Sequence, residues 1–435
     1  MTTPEDETAE PAEGEQAEPE QSRSRQNLVA VLVTVTVVLI IVVLLATLLL
    51  PGWQTKQYGW SAPSDEGDTH RTYVTGDSLV RVSSSGVAAY RLDTGKKQWQ
   101  QRTAVDRQQV CAAVPEPAEG VIAVMVGTSL GPKFVCSEVR AIDIDSGKEL
   151  WRKRITEQVA ADPRPRFAVT MVDGMVVATD ALELVAFDAR TGKRQWRHGP
   201  RTTGCHLAGA SSDGDELLTI TQCYDPDGFP IDGGVQSRSL TDGEINWQRR
   251  FGAERGRIVN VDPLVVATDK GNVFTYDGDG KQQARIAAKQ QAGTLSLVPD
   301  VDSTDGNAVV EARVVDGLLV GAVRGGKQTR VAAYRIRDGK RSWAADVGGA
   351  GMPWVSTGER GLVTFLVSDA PEDDLPYLVD VDARTGAVDA GDEIEPRGKA
   401  TRLPKAGYGY TLADDTLLAV RAESAGDEPL VLAYS

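Results

Sequence analysis

The side chains best suited to chemistry in this chain are its histidines, its cysteines and two closely spaced pairs of aspartates. The aspartate pairs, Asp143 with Asp145 and Asp277 with Asp279, offer the oxygen ligands that calcium prefers. Both pairs directly precede a glycine turn, where aspartate commonly accepts hydrogen bonds from the local backbone. We therefore interpret them as turn residues. No His-x-x-x-His spacing occurs among the three histidines, which are His70, His198 and His206.

Motif searches for cofactors and nucleotides also find no match. The sequence has no phosphate-binding Gly-x-x-x-x-Gly-Lys-Ser/Thr, no Gly-x-Gly-x-x-Gly fingerprint and no Cys-x-x-Cys-His haem site. The formal net charge of −15 is the wrong sign for a nucleic-acid partner. We predict no catalytic residue, no cofactor-binding residue, no metal ligand and no nucleic-acid partner.

The four cysteines form two closely spaced pairs, and each pair falls within one of the sequence repeats described below. We predict the disulfides Cys111–Cys136 and Cys205–Cys223 because the number is even and the pairs are local. Zinc ligation and free thiols are the alternatives. Zinc is disfavoured because no Cys-x-x-Cys occurs.

The stretch from Ala186 to Trp196 sets the pattern that the rest of the chain repeats. It predicts a strand ending at Asp188, a tight turn at Gly192 and a second strand that carries Trp196. A hairpin turn with positive φ favours glycine, and a tryptophan at a fixed offset favours packing between successive modules. The turn glycine recurs at Gly95, Gly147, Gly192, Gly243, Gly280, Gly339 and Gly386. The docking tryptophans that follow four residues later are Trp99, Trp151, Trp196, Trp247 and Trp343.

The spacing of the turn glycines predicts the fold class. They recur on average about every 48 residues, a period that four strands and their turns fill and that is typical of a β-propeller. The last residues, Val431 to Ser435, match the start of an eighth copy and stop before its turn. We predict an all-β, eight-bladed β-propeller with four-stranded blades.

The incomplete eighth copy predicts how the ring closes. Its missing outer strand would be supplied by the segment Lys56 to Trp60, which has a tryptophan but no turn motif before it. Both ends of the domain would then share one sheet and leave no blade edge open. Trp60 would act as a further docking residue. The alternative is that Trp60 lies in the aromatic belt of a membrane interface.

The repeat resembles the tryptophan-docking motif of quinoprotein-type (PQQ-like) β-propellers, Ala-x-Asp-x-x-Thr-Gly-Lys-x-x-Trp. The copies from Ala141 to Trp151 and from Ala186 to Trp196 match it at nearly every position, and the resemblance covers about residues 55–435. Enzymes of that family hold pyrroloquinoline quinone and calcium beneath a pair of adjacent cysteines. This chain has no Cys-Cys, and neither the calcium carboxylates nor a catalytic aspartate can be placed on its residues. The resemblance therefore implies the fold, without a cofactor.

The N-terminal segment differs in composition from the repeats. Residues 1–27 hold eight acidic side chains in the first twenty positions and are predicted to form a disordered acidic tail. Leu28 to Leu50 is a run of 23 uncharged, mainly apolar residues, which predicts a transmembrane helix. A cleaved signal peptide is disfavoured because its apolar core would be shorter. Arg23 and Arg25 favour a cytoplasmic N-terminus and an extracytoplasmic propeller.

These features favour a membrane-anchored, non-catalytic binding or scaffold module on the extracytoplasmic side, with a protein or cell-envelope partner. The PQQ-like resemblance extends to such members, including an outer-membrane assembly scaffold. Two alternatives stay open. One is a quinone-dependent dehydrogenase with a degenerate cofactor site. The other is the ectodomain of an envelope sensor, whose output would need a partner protein.

Overall fold

The described residues all belong to one compact unit of the chain, Tyr58–Ser435. The predicted acidic tail and the predicted membrane span at 28–50 lie outside the described residues. The part of the chain that is described contains no helix of the length and apolarity needed to cross a bilayer. The structure is a computed structural model, and it describes residues 60–62, 67–103, 108–130, 133–155, 168–179, 183–199, 205–213, 216–287, 289–290, 293–295, 312–324, 330–348, 356–357, 361–367, 377–393, 408–413, 416–421 and 430–434.

The described residues form an all-β, eight-bladed propeller of antiparallel sheets, as the repeat spacing predicted. The first strand at the N-terminal end is β1 (Ser61–Ala62). Blade 1 contains β2 (Thr69–Thr75), β3 (Ser78–Ser83), β4 (Gly86–Arg91) and β5 (Lys97–Arg102). Blade 2 contains β6 (Gln108–Ala113), β7 (Val121–Leu130), β8 (Lys133–Asp143) and β9 (Glu149–Arg154). Blade 3 contains β10 (Ala168–Val172), β11 (Met175–Thr179), β12 (Leu184–Asp188) and β13 (Arg194–His198). Blade 4 contains β14 (Cys205–Asp213), β15 (Glu216–Tyr224), β16 (Pro230–Arg238) and β17 (Ile245–Gly252).

The second half of the ring follows the same plan with one elaboration. Blade 5 contains β18 (Gly256–Asn260), β19 (Leu264–Thr268), β20 (Asn272–Tyr276) and β21 (Gln282–Ala287). Blade 6 adds a short hairpin, and contains β22 (Lys289–Gln290), β23 (Gly293–Leu295), β24 (Ala312–Val315), β25 (Leu318–Arg324), β26 (Arg330–Arg335) and β27 (Arg341–Asp346). Blade 7 contains β28 (Ser356–Thr357), β29 (Leu362–Val367), β30 (Tyr377–Asp382) and β31 (Val388–Glu393). Blade 8 contains β32 (Tyr408–Ala413), β33 (Thr416–Arg421), β34 (Val431–Tyr434) and β1.

The ends of the propeller pair within blade 8. Ser61 is opposite Leu432 and Ala62 is opposite Val431 in an antiparallel register, so β1 supplies the fourth strand of the sheet. This confirms the prediction that both ends share one sheet. The paired strand begins just after Trp60, whereas the prediction placed it at residues 56–60, and residues before Trp60 lie outside the described part. The backbone of Trp60 still takes part, because its carbonyl accepts a hydrogen bond from the Ala433 amide at 3.2 Å.

Buried apolar side chains pack between neighbouring blades and hold the ring together. Strands such as β11 (MVVAT) and β19 (LVVAT) are apolar at nearly every position because both faces of each sheet are covered. The first strands of neighbouring blades contact one another, so they surround the centre of the ring. The alternating strand directions then define two ends. We call the end with the first-to-second and third-to-fourth strand connections the turn end, and the opposite end the loop end.

One stretch at the loop end has the composition of a long loop but does not form one. The second half of this Pro- and Gly-rich stretch, Asp225 to Gly234, is part of β16. Tyr224 is opposite Pro230, and the register shift between Cys223 and Tyr224 lets the pairing continue through this stretch. Blade 4 therefore projects as an extended hairpin with a tight tip.

Candidate binding surfaces and the contacts that position them

Each docking tryptophan lies against the turn glycine of the next blade. A Cβ placed on Gly192 would lie 2.7 Å from the Trp151 ring, and one on Gly147 would lie 2.5 Å from the Trp99 ring. Both glycines have positive φ, 67° and 70°, so the position excludes a side chain for two reasons. The same contact joins four further pairs: Trp60 with Gly95, Trp196 with Gly243, Trp247 with Gly280, and Trp343 with Gly386.

At four of these junctions the indole N–H also donates to a backbone carbonyl three residues before the turn glycine. The donors and acceptors are Trp60 to Leu92, Trp151 to Ala189, Trp196 to Leu240, and Trp343 to Ala383, at 2.5–2.8 Å. This bond satisfies the polar atom of a largely buried ring and fixes its orientation. Within the described part, the Nε1 atom of Trp99 has no such partner.

The turn aspartates are occupied by their own turns. Oδ1 of Asp188 accepts hydrogen bonds from the Thr191 amide at 2.7 Å and from the Thr191 hydroxyl at 2.6 Å. Asp143 makes the same pair of contacts with Ser146. The hydroxyl bond and then the amide bond lower the pKa of each carboxyl below its usual range. This geometry matches the interpretation of Asp143 as a turn residue.

The junction between blades 5 and 6 lacks the docking ring. Ala284 takes the place of the tryptophan, and a Cβ on Gly339 would lie 3.2 Å from the Ala284 Cβ. The turn of blade 6 has therefore closed directly onto the outer strand of blade 5. The Ile336 carbonyl, which stands where other junctions accept the indole N–H, accepts the Thr275 hydroxyl at 2.8 Å.

The two disulfides lie within blades 2 and 4. Cys205 and Cys223 are bonded and are directly opposite each other on β14 and β15. Cys111 and Cys136 are also bonded, but they lie on the first and third strands of blade 2. They can meet because Cys111 is a bulged residue and the residue opposite Cys136 is Gly127, which has no side chain. The described residues contain no free cysteine.

The hairpin tip of blade 4 is the most apolar exposed feature of the described surface. Phe229 is 66% exposed and Ile231 is 56% exposed, more than any other large apolar side chain in the described ranges. They are two residues apart, on either side of Pro230, at the start of β16. Asp225, Asp227 and Asp232 lie in the same hairpin, which has no Lys or Arg of its own, and Asp232 pairs with Arg250 of β17 at 3.2 Å. This hairpin, residues 224–232, is an acidic apolar surface at the loop end.

Local bonds hold this hairpin in one conformation. Oδ1 of Asp225 accepts from the amides of Asp227 at 3.0 Å and Phe229 at 2.8 Å, and Gly228 turns the chain with a φ of 84°. Buried Gln222 donates to the Asp232 carbonyl at 3.0 Å. The Cys205–Cys223 disulfide lies at the base. These bonds fix the backbone that carries Phe229 and Ile231. A hairpin that is already ordered loses less conformational entropy when it binds a partner.

The residues present do not fit a quinone and calcium site. The two disulfides are staples within blades, and neither joins adjacent cysteines. No group of three or more His, Cys, Asp or Glu side chains in the described part of the chain is arranged to hold a metal ion. We derive no chemistry through that cofactor.

One motif that the sequence analysis missed is Gly127-Thr-Ser-Leu-Gly131, which has the Gly-x-Ser-x-Gly spacing of a hydrolase nucleophile elbow. That elbow requires a turn from a strand into a helix. Ser129 instead lies in β7 opposite Phe134 of β8, within a β-hairpin. The spacing match therefore does not indicate a hydrolase.

Sequence reasoning also missed a contact between blades at the turn end. The arginine in the Asp-Ala-Arg-Thr-Gly turn reaches back to the preceding blade. Arg384 binds Asp316 at 2.7 Å, and Arg190 donates to the Glu119 carbonyl. Asp316 and Glu119 both have positive φ, 49° and 53°. The sequence signal for this contact is the arginine that both Asp-Ala-Arg-Thr-Gly turns share. The sequence does not identify the partner of each arginine, because the partner is set by the position of the preceding blade.

The ring of four-stranded sheets and its tryptophan-on-glycine contacts are those of a PQQ-like β-propeller, a fold that the comparisons also support. The family model described as "Outer membrane protein assembly factor BamB" matches residues 83–262. The chain is 25% identical over 278 residues to the outer membrane protein assembly factor BamB of Moranella endobia (strain PCIT). That match covers 59% of this chain and 61% of the relative, so the chain spans about three fifths of the relative's length.

Solved structures show the same fold at low identity. The quinohemoprotein alcohol dehydrogenase ADHIIG from Pseudomonas putida HK5 is 13% identical with a TM-score of 0.54, and the match covers 87% of this chain and 76% of the enzyme. The computationally designed Ika8 protein is 12% identical with a TM-score of 0.52, over 86% of this chain and 99% of that protein. An enzyme and a designed protein both share the architecture, so the fold alone does not define an activity.

Proposed function

We propose that this propeller is a non-catalytic binding module that docks a partner protein through the hairpin tip of blade 4. The observation that carries the proposal is the exposure of Phe229 and Ile231 on a braced hairpin. Exposed, pre-organised apolar side chains are typical anchors of protein interfaces. The relative named as an assembly factor supports the same class of role.

The charge around the anchors favours a protein over a lipid surface. Asp225, Asp227 and Asp232 give the hairpin a negative net charge, although Asp232 pairs with Arg250 of β17 at 3.2 Å. The surface of an anionic bilayer is negative and would repel this hairpin. A protein with an apolar pocket bordered by Lys or Arg would complement it.

The proposal places this domain outside the cytoplasm, anchored by a transmembrane helix at residues 28–50. Its support is the apolar run in the sequence, the arginines before it, and two disulfides of the kind that persist in oxidising compartments. A reporter that is active only in the cytoplasm, fused after Ser435, should be silent. An active fusion would contradict this orientation.

Site-directed photo-crosslinking in native membranes tests the docking surface. A photoreactive phenylalanine analogue at position 229 of the full chain should give one discrete protein adduct. The same analogue at Val388, which is 41% exposed on the outer strand of blade 7, should not give it. The substitution Ile231→Asp should weaken the adduct at 229. Adducts to lipid alone, or equal adducts at both positions, would contradict the proposal.

The dehydrogenase alternative makes a different prediction. A degenerate quinone enzyme would still bind pyrroloquinoline quinone, and calorimetry with calcium present would detect it. We expect no sub-micromolar binding, because the adjacent cysteines of that enzyme family are missing. Tight calcium-dependent binding would favour the enzyme.

A further inference from the structure

A groove of about 620 Å³ opens at the turn end, where blades 5, 6 and 7 meet. Its volume falls within the range of about 300–1,000 Å³ that is typical of ligand pockets. The polar side chains that line it are Asp277, Gln283, Asp316, Arg335, Arg337 and Arg384. It lies at the opposite end of the propeller from the blade 4 hairpin.

The groove coincides with the junction between blades 5 and 6. Ala284 replaces the docking tryptophan there, and the turn of blade 6 rests on the outer strand of blade 5. Ile336 also lines the groove. Its carbonyl is already bonded to the Thr275 hydroxyl, so no indole is needed to satisfy it. The junction therefore leaves no carbonyl without a partner at this position, although it lacks the tryptophan. The adjoining groove remains open.

The acidic groups of the groove are engaged by neighbouring protein groups. Asp277 accepts hydrogen bonds from the Lys281 amide and from the Gln283 side chain, both at 2.7 Å. Asp316 is paired with Arg384 at 2.7 Å. A cationic ligand would have to displace these partners.

The basic groups leave one guanidinium available. Arg335 is bonded to Asp338, which leaves Arg337 as the exposed lining arginine with no hydrogen bond or ion pair among the described residues. A guanidinium presents a planar set of donors that matches a carboxylate in two parallel hydrogen bonds. The charges of Arg335 and Arg384 are compensated by Asp338 and Asp316, so Arg337 is the lining arginine whose charge has no partner among the described residues.

We propose that this groove is a second binding site that takes a carboxylate-rich ligand, with Arg337 as its principal contact. The carboxylates could belong to a free polycarboxylate or to the glutamates of an acidic peptide, and both offer the same chemistry to Arg337. The site is independent of the blade 4 hairpin, so the propeller binds at both ends.

Calorimetric titration of the full chain in detergent micelles tests this site with two probes. The probes are citrate and an acetylated, amidated tetraglutamate peptide. Arg337→Ala should weaken binding of the responding probe about tenfold or more, as expected for a charged hydrogen bond. Arg337→Lys keeps the charge but loses the paired donors, so its affinity for the probe should lie between those of wild type and Arg337→Ala. Arg194→Ala is the matched control, because Arg194 is exposed on β13 of blade 3 with no bonded partner in the described part.

The outcomes separate the sources of the ligand. Binding of both probes, or of either one alone, with loss on Arg337→Ala supports the site and shows which source fits. Three results would overturn it: no saturation by either probe below about 10 mM, unchanged binding by Arg337→Ala, or an equal loss in Arg194→Ala. Circular dichroism of each variant would show that the ring remains folded.

Discussion

Trp60 donates a hydrogen bond of 2.5 Å from Nε1 to the Leu92 carbonyl oxygen, and so joins the N-terminal strand of blade 8 to the turn of blade 1. Its ring lies on Gly95 in the same way that Trp151 lies on Gly192. The seam between the two ends of the domain is thus built as an ordinary blade junction. Buried apolar groups, including Ala62, Leu79, Leu418 and Val431, pack behind it.

Trp60→Ala should lower the free energy of unfolding by about 3–5 kcal/mol, the usual cost of deleting a large packed aromatic ring. Trp60→Phe keeps much of the packing but removes the N–H donor, and should cost about 1 kcal/mol beyond the lost ring area. Urea denaturation monitored by circular dichroism checks both. A loss below about 1 kcal/mol for Trp60→Ala would show that the ring does not hold the seam.

Gly192→Ala should destabilise the domain more than Gly228→Ala. Both glycines have positive φ, so both variants carry a backbone strain of about 1–2 kcal/mol. Only Gly192 is packed against a ring; nothing lies within 4 Å of a Cβ on Gly228. Overpacking should add about 1–3 kcal/mol at Gly192. Equal melting temperatures for the two variants would contradict the docking contact.

Ala284→Trp restores the repeat motif, but we expect it to destabilise the ring by about 1–3 kcal/mol. The turn of blade 6 already rests on Ala284, and Thr275 holds the carbonyl that an indole would use. Thermal unfolding against wild type is the measurement. A rise in melting temperature would mean that the junction can reopen to accept the ring.

The Cys205–Cys223 bond should stabilise the domain by about 3 kcal/mol, since it closes a loop with a sequence separation of 18. The double variant Cys205→Ser with Cys223→Ser removes it without changing the fold of the hairpin strands. Non-reducing peptide mapping of wild type checks the pairing itself. Cross-pairing with Cys111 or Cys136 would contradict the structure.

Asp188→Asn should be less stable than wild type at neutral pH, and the difference should shrink in acid. The Thr191 hydroxyl and amide lower the pKa of Asp188, so the folded state favours the charged carboxylate. That contribution is present above the unfolded pKa of about 4 and is lost as pH falls through the lower folded value. Melting temperatures between neutral pH and about pH 3 measure it. A difference that does not change with pH would argue against a charged turn bond.

The repeat made most of the fold predictable. Positive φ favours glycine at the turn position, and packing between blades favours tryptophan four residues later. Both residues therefore recur along the sequence at the spacing of the blades. The pairing of β1 with β34 could be predicted from the missing outer strand of the eighth copy. Ala284 lacks the ring that fills this position at other junctions. The sequence could not show whether another side chain would fill the space or blade 6 would lie closer, because that depends on the position of blade 6 relative to blade 5.

The surfaces were less predictable for a physical reason. The stretch from Asp225 to Gly234 has the composition of a loop, but a register shift allows β16 to pair through it. Exposure of Phe229 and Ile231 depends on what else reaches the tip, and no local pattern encodes that. The same holds for Arg337, which has no partner among the described residues because Asp338 pairs with Arg335 and Asp316 pairs with Arg384.

The shared sheet of blade 8 has a consequence for biosynthesis. Thr69 donates a hydrogen bond to the Arg421 carbonyl, a contact that spans 352 residues of chain. Among the described strands, β1 pairs with β34 alone. During translation β1 is synthesised early and β34 is synthesised late. β1 therefore has no strand partner while the intervening blades are synthesised. Any interruption of translation before β34 leaves that edge, and the seam, open to proteases and to pairing with other chains. The ring can therefore close only after β34 has been synthesised.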